Sequence, residues 1–125
     1  MESIRVLIVD DLSQVREGLA TLLTLAGSAR EPRIEIVGEA RNGIEAIQQT
    51  HLLHPDVVLM DLEMPGMNGY EATRRLKEEH PIPRVIILSI HNDLETQQRA
   101  HAAGADGFVT KGDSHEILLR AILFK

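Results

Sequence analysis

Residues 56–69 read Asp56-Val57-Val58-Leu59-Met60-Asp61-Leu62-Glu63-Met64-Pro65-Gly66-Met67-Asn68-Gly69. Asp56 to Met60 is a run of apolar, partly β-branched residues that stops at a carboxylate. Glu63 to Gly69 then supplies Pro, Gly, Asn and Gly, the residues of turns. A buried strand that delivers an acid into a turn-rich loop is the simplest reading.

The same unit recurs outward from this stretch. Upstream, Ile4 to Val9 ends at Asp10 and Asp11, and Ile34 to Val37 is a second apolar run. Downstream, Arg84 to Leu88 ends at Ser89, and Gly107 to Thr110 ends at Lys111. Helical spacing fills the intervals. Val15, Leu19, Leu22, Leu23 and Ala26 share one face, with Ser13 expected to cap that helix and Gly27 to end it. Asn42-Gly43-Ile44-Glu45 has the form of a capping box and opens a helix through about His51. A third helix is expected from about Tyr70 to Glu79, stopped by Pro81 and Pro83. Asp93 is expected to cap a fourth through Ala103. Ser114 is expected to cap a fifth that contains Ile117, Leu118, Ala121 and Ile122.

Five strands alternating with five helices predict an α/β fold, one parallel sheet covered on both faces. The strands are nearly continuous in apolar residues, as strands buried on both sides require. All 125 residues form one domain on this reading, residues 1–125. There is no cysteine, so disulfides, thiolate metal sites and cysteine nucleophiles are excluded. A net charge of −6 disfavours nucleic acid or an anionic membrane as a direct ligand of these residues. Neither a signal peptide nor an apolar run of membrane-spanning length is visible, so a cytoplasmic location is expected.

Parallel strands joined by right-handed crossovers place their C-terminal ends on one edge, where open α/β sheets bind ligands. That edge should gather Asp10, Asp11, Asp61, Ser89 and Lys111. Taken singly, a strand-end Asp is often a turn or cap residue, Ser a loop residue, and Lys a solvated charge. Together they make a chemical set. Three carboxylates repel one another and call for a cation; oxygen ligands alone favour a hard divalent ion, magnesium above others. A carboxylate can attack phosphorus and form an aspartyl phosphate. A metal ion and a lysine would neutralise the charge that develops during such a transfer. A nucleotide- or flavin-binding domain would need a Gly- or Ser/Thr-rich cradle after the first strand, where this chain has two aspartates. A phosphatase using an aspartyl phosphate would need a second catalytic carboxylate near Asp61 and a cap domain, and neither is seen.

These motifs resemble the response-regulator receiver family over the whole chain. Val9-Asp10-Asp11, the loop Asp61 to Gly69, Ser89, and Thr110-Lys111 carry the resemblance. The stretch Glu35-Ile36-Val37-Gly38-Glu39-Ala40-Arg41-Asn42-Gly43 is similar to the NarL/FixJ-type subfamily. The resemblance implies a flavodoxin-like receiver fold with strand order 2-1-3-4-5. It implies that Asp61 is the phosphoacceptor and that Asp10 and Asp11 bind Mg2+, Asp11 more directly and Asp10 partly through water. Glu63 would offer its backbone carbonyl to the metal, Ser89 would be the switch hydroxyl, and Lys111 would contact the phosphoryl group. Phe108 matches the switch aromatic, without a tyrosine hydroxyl, and an ordinary core role stays open for it. Glu63 and His91 would flank the attacking water and set the lifetime of the phosphoryl group.

The resemblance further implies a regulatory phosphoacceptor rather than an enzyme, with a sensor histidine kinase as partner and a homodimer on phosphorylation. Transcriptional output would run through a C-terminal helix-turn-helix DNA-binding domain outside these residues; a stand-alone receiver acting by protein contacts is the alternative. Gly112 follows Lys111 where many receivers have Pro, which leaves the isomer of that peptide open. Gly27 to Pro32 looks long for the subfamily, either a partner-specific loop or an inert insertion. His51, His54, His80, His101 and His115 show no metal-ligand spacing along the chain, although His51 and His54 could share a helix-end face.

Overall fold

The computed structural model describes residues 3–29 and 31–124. Met1, Glu2, Arg30 of the expected 27–32 loop, and Lys125 lie outside the described residues. The order is β1 (Ser3–Val9), α1 (Ser13–Gly27), β2 (Arg33–Ala40), α2 (Gly43–Leu53), β3 (Val57–Asp61), α3 (Gly69–Glu79), β4 (Arg84–Ser89), α4 (Leu94–Ala102), β5 (Gly107–Thr110) and α5 (His115–Leu123). The five strands form one parallel sheet in the order β2-β1-β3-β4-β5. This is the expected fold.

Strand periodicity builds two cores from one sheet. Leu7, Val9, Val58, Met60, Val85 and Ile87 point to the side of Ala46, Ala72, Leu76 and Ala100, which come from α2, α3 and α4. Val6, Ile8, Val57, Leu59, Ile86 and Leu88 point to the side of Leu23, Leu118, Leu119 and Ile122, from α1 and α5. Both faces are apolar in the central strands, which is why those runs do not alternate with polar residues.

Several local expectations are corrected. β2 runs on to Ala40 rather than stopping at Val37, and its register with β1 shifts between Val6 and Leu7. The residue at the start of α1 is not a Ser13 cap: Leu12 holds the cap position without a side-chain bond. The Leu12 amide donates to Asp10 Oδ1 at 3.0 Å, so an acid of the strand end also orders the helix start. Gly27 is the last helical residue rather than a left-handed stop; a Cβ there would lie 2.6 Å from Ile34 Cβ, so its role is the close approach of α1 to β2. Ser114 sits at the α5 cap position but makes no side-chain cap bond. Asn42 and Asp93 cap as expected, accepting from Glu45 and Thr96 amides at 2.8 and 3.1 Å. Glu45 closes its box on the Arg41 amide at 3.0 Å, one residue early. Asn68 caps α3 in the same way, a role not foreseen. The cis peptide among the described residues precedes Pro32; the Lys111–Gly112 bond is trans, with Gly112 at φ +97.

The acids at the other edge of the sheet are structural. Asp56 Oδ2 accepts the Arg5 amide at 2.8 Å, and Asp106 Oδ2 accepts both the Val85 amide at 2.8 Å and Lys77 Nζ at 2.9 Å. Carboxylates where strands begin are therefore satisfied by amides and a lysine.

The β3–α3 loop is closed by the Gly69 amide on the Leu62 carbonyl at 2.9 Å. A Cβ at Gly69 would collide with the Asp61 carbonyl oxygen and lie 2.7 Å from Leu62 Cα. Backbone cannot yield as a side chain tip can, so Gly69→Ala is expected to cost about 2 kcal/mol. Gly18 in α1 has nothing within 4 Å of the same atom. Gly18→Ala should instead stabilise by up to about 1 kcal/mol through helix propensity. Urea unfolding of both variants checks this; an unchanged Gly69→Ala midpoint would contradict the packing described.

Candidate functional site

The C-terminal edge assembles the site as topology dictates. β1 leads directly into Asp10, whose amide is held by the Ala40 carbonyl at 3.0 Å. β3 and β4 end on Asp61 and Ser89. β5 leads into Lys111, whose amide donates to the Ser89 carbonyl at 2.7 Å. Side chains at this edge are thus fixed by neighbouring strands, not by free loops. Asp10, Asp61 and Ser89 are 2, 6 and 2% exposed. Asp11, the more accessible acid, completes a group whose ligand oxygens all lie within 4.8 Å of one another.

Lys111 is the cation that reaches into this group. Its Nζ lies 2.9 Å from Asp10 Oδ2 and 3.3 Å from Asp61 Oδ1. Arg16 does not join it: its Nη1 donates to the Asp10 carbonyl at 2.7 Å and its Nε pairs with Glu39 at 3.0 Å. Burial pushes the Asp61 carboxyl above the usual carboxylate range; the Lys111 charge opposes this, and the Asp10 charge adds to it. Burial works against the Lys111 charge, but its bond to Asp10 and the charges of Asp61 and Asp10 outweigh that and hold the ammonium above its ordinary value. The nest keeps one ammonium for three carboxylates. An all-oxygen donor set with excess negative charge fits a hard divalent cation.

A cavity of about 310 Å³ opens over these groups, lined by Asp10, Asp11, Leu12, Asp61, Glu63, Ile90 and Lys111. Leu12 and Ile90 were not anticipated, because only polar strand-end residues signalled chemistry. Among the described residues, both protein hydrogen bonds to the Asp61 carboxylate fall on Oδ1, from Lys111 Nζ and from the Glu63 amide at 3.4 Å. The Glu63 side chain turns away to His91, with Nε2 and Oε1 2.7 Å apart and both side chains more than half exposed. The Ser89 hydroxyl accepts the His91 amide at 3.0 Å. Phe108 is half-buried and packs with the core under α2, α3 and α4. The structure therefore brings Asp10, Asp11, Asp61, Glu63 and Lys111 around one cavity, with Ser89 at the end of β4 and His91 on the loop after it.

A family model described as response regulator receiver domain matches residues 6–123. The chain is 38% identical over 121 residues to the nitrate/nitrite response regulator protein NarL of Escherichia coli strain K12, covering 97% of the chain and 54% of that protein. It is 40% identical over 112 residues to a protein-glutamate methylesterase/protein-glutamine glutaminase of Geobacillus kaustophilus, covering 89% and 31% respectively. The signal receiver domain of NarL from Mycobacterium tuberculosis superposes with a TM-score of 0.89 at 32% identity, covering 98% of this chain and 95% of that one. The chain spans about half the length of NarL-type relatives and less of the methylesterase. On topology, site and relatives alike, the chain belongs to the response-regulator receiver family of two-component systems, in its NarL/FixJ-type branch.

Proposed function

We propose that Asp61 accepts a phosphoryl group from the phosphohistidine of a sensor histidine kinase. The observation that carries this is a buried carboxylate beside a lysine, in a cavity with two more carboxylates. Asp61 Oδ2, without the bonds that Oδ1 holds, attacks phosphorus; the phosphorus–nitrogen bond breaks and its electron pair stays on the leaving imidazole. Lys111 Nζ then exchanges a carboxylate oxygen for a phosphoryl oxygen. Asp10, Asp11 and Asp61, with the Glu63 backbone carbonyl, would hold Mg2+, which supplies charge neutralisation to the equatorial oxygens. Glu63, which lines the cavity, and His91, paired to it from the loop after β4, control access of water to the acyl phosphate.

Phosphorylation adds roughly 1.5 to 2 negative charges and three acceptor oxygens. The Ser89 hydroxyl gives up the His91 amide and donates to one of them, drawing in the loop after β4. Phe108 moves into the space vacated. α4 buries only Ala100, so it resists displacement weakly; Arg99 stacked on Tyr70 at 4.2 Å is an exposed tether to α3. The face formed by α4, β5 and α5 is read by the output. That output is transcriptional, through a DNA-binding domain outside these residues, a reading supported by similarity to a transcriptional regulatory protein, DegU of Brevibacillus brevis. Phosphorylation promotes a homodimer, and the protein works in the cytoplasm. A receiver that acts through protein contacts alone is the second reading; the match to a protein-glutamate methylesterase/protein-glutamine glutaminase shows that similar segments occur in proteins of more than one named activity.

Incubation with acetyl phosphate and Mg2+, followed by intact mass, should show an adduct of one phosphoryl group in wild type and none in Asp61→Asn. His91→Ala should load at the wild-type rate but lose the adduct at a different rate. Loading of Asp61→Asn, or equal changes in both rates for His91→Ala, contradicts the respective assignment. Stability follows the same electrostatics. Asp61 has a folded pKa above its unfolded value, so the native state binds more protons and its ionisation destabilises the fold as pH rises through that range. Metal-free Asp61→Asn should therefore unfold at higher urea than wild type at pH 7, and the gap should close as pH falls and the wild-type carboxyl protonates. A gap that widens on acidification contradicts the assignment.

A further inference from the structure

A second cluster lies at the opposite end of the molecule, where α2 and α3 finish. The His51 ring centroid lies 6.5 Å from that of His54 and 5.6 Å from that of His80, with ring planes inclined by 55° and 51°. His51 occupies the last turn of α2, His54 its C-cap and His80 the C-cap of α3. Helix packing therefore adds a third imidazole from a segment remote in sequence. Two of the three backbone positions are fixed. The His54 amide donates to the Thr50 carbonyl at 3.0 Å, its carbonyl accepts Arg5 Nη1 at 2.7 Å, and its φ is +48. A left-handed helix end is usually given to glycine, and this chain places an imidazole there. The His80 amide donates to the Leu76 carbonyl at 2.6 Å.

Beside these rings is a cavity of about 290 Å³ lined in part by Thr50, His54, Glu79, His80 and Pro81. Thr50 is 1% exposed, and its Oγ1 has no protein hydrogen-bond partner among the described residues. A buried hydroxyl without a partner costs on the order of 1–3 kcal/mol, and Thr50 lines this cavity, so a polar occupant within reach of Oγ1 would relieve that cost. Three imidazoles on a tetrahedral cation, with nitrogen at about 2.0–2.1 Å from the metal, have centroids about 5 Å apart. The 5.6 and 6.5 Å spacings exceed this, and the ring nitrogens do not converge within 4.8 Å as placed, so binding requires rotation of the exposed His51 and His54 rings toward the half-buried His80.

We propose that His51, His54 and His80 form a site for one divalent transition-metal ion of the zinc or nickel class, with water or Glu79 as fourth ligand and the Thr50 hydroxyl accepting from a metal-bound water. Imidazole ligands select such ions over magnesium, so the site is chemically distinct from the acidic nest. Binding would tie the ends of α2 and α3 together.

The test is calorimetric titration of the whole chain with zinc chloride in excess Mg2+, which keeps the acidic nest occupied. One zinc ion should bind. His51→Gln and His80→Gln should each weaken uptake by at least about tenfold, as loss of a metal-site residue does. Asp11→Asn should leave it unchanged. Thermal melts of each variant without zinc confirm folding, and zinc should raise the melting temperature of wild type but not of His51→Gln. Absence of saturable uptake, or uptake that persists in a folded His51→Gln/His80→Gln double variant, overturns the proposal.

Discussion

Three carboxylates are held around one ammonium group. Asp10, Asp11 and Asp61 bring their oxygens within 4.8 Å of one another, and Lys111 neutralises only one charge. Left in water, these acids would separate. The sheet prevents it: Asp10 is tied to Ala40, Lys111 to Ser89, and Asp61 ends a fully buried strand. Apolar burial on both faces of β1, β3 and β4 thus maintains an electrostatic arrangement that costs stability, as active sites commonly do. The proposed chemistry depends on that constraint, because only a frustrated nest gains by taking up a cation and then a phosphoryl group.

The same constraint connects the nest to the surface. β4 ends on the buried Ser89, and the loop after it carries Ile90, a wall of the cavity, and His91, the partner of Glu63, whose amide the Ser89 hydroxyl holds. Next along the chain is α4, capped by Asp93 but anchored in the core by Ala100 alone. The sheet holds the acidic nest, and α4 is the weakly packed element beyond the loop that adjoins it.

Much of this was legible in the sequence because both signals are local. Apolar runs such as Asp56 to Met60 announce strands, and an acid, serine or lysine at their ends stands out against them. The sheet order came from family resemblance and agrees with the structure. What could not be read was tertiary. Gly38 and Glu39 hid the extension of β2, since neither favours a strand; pairing with Leu7 and Ile8 overrides them. Gly27 and Gly69 read as a helix stop and a turn residue, but each serves an approach of backbones visible only in three dimensions. Ser13 and Ser114 have cap chemistry without cap bonds, because Asp10 and the preceding loops set the helix starts. His80 lies far from His51 in sequence, so their adjacency is a product of helix packing.

Backbone amide NMR during a Mg2+ titration, followed by addition of beryllofluoride as a phosphoryl mimic, tests the frustrated nest most directly. Mg2+ should produce saturable shifts centred on residues 10–12 and 61–63, absent in Asp11→Asn, and beryllofluoride should then alter amide exchange across residues 89–111. Mg2+ shifts scattered over the acidic surface, or none at the nest, together with unaltered exchange over 89–111, would contradict the account.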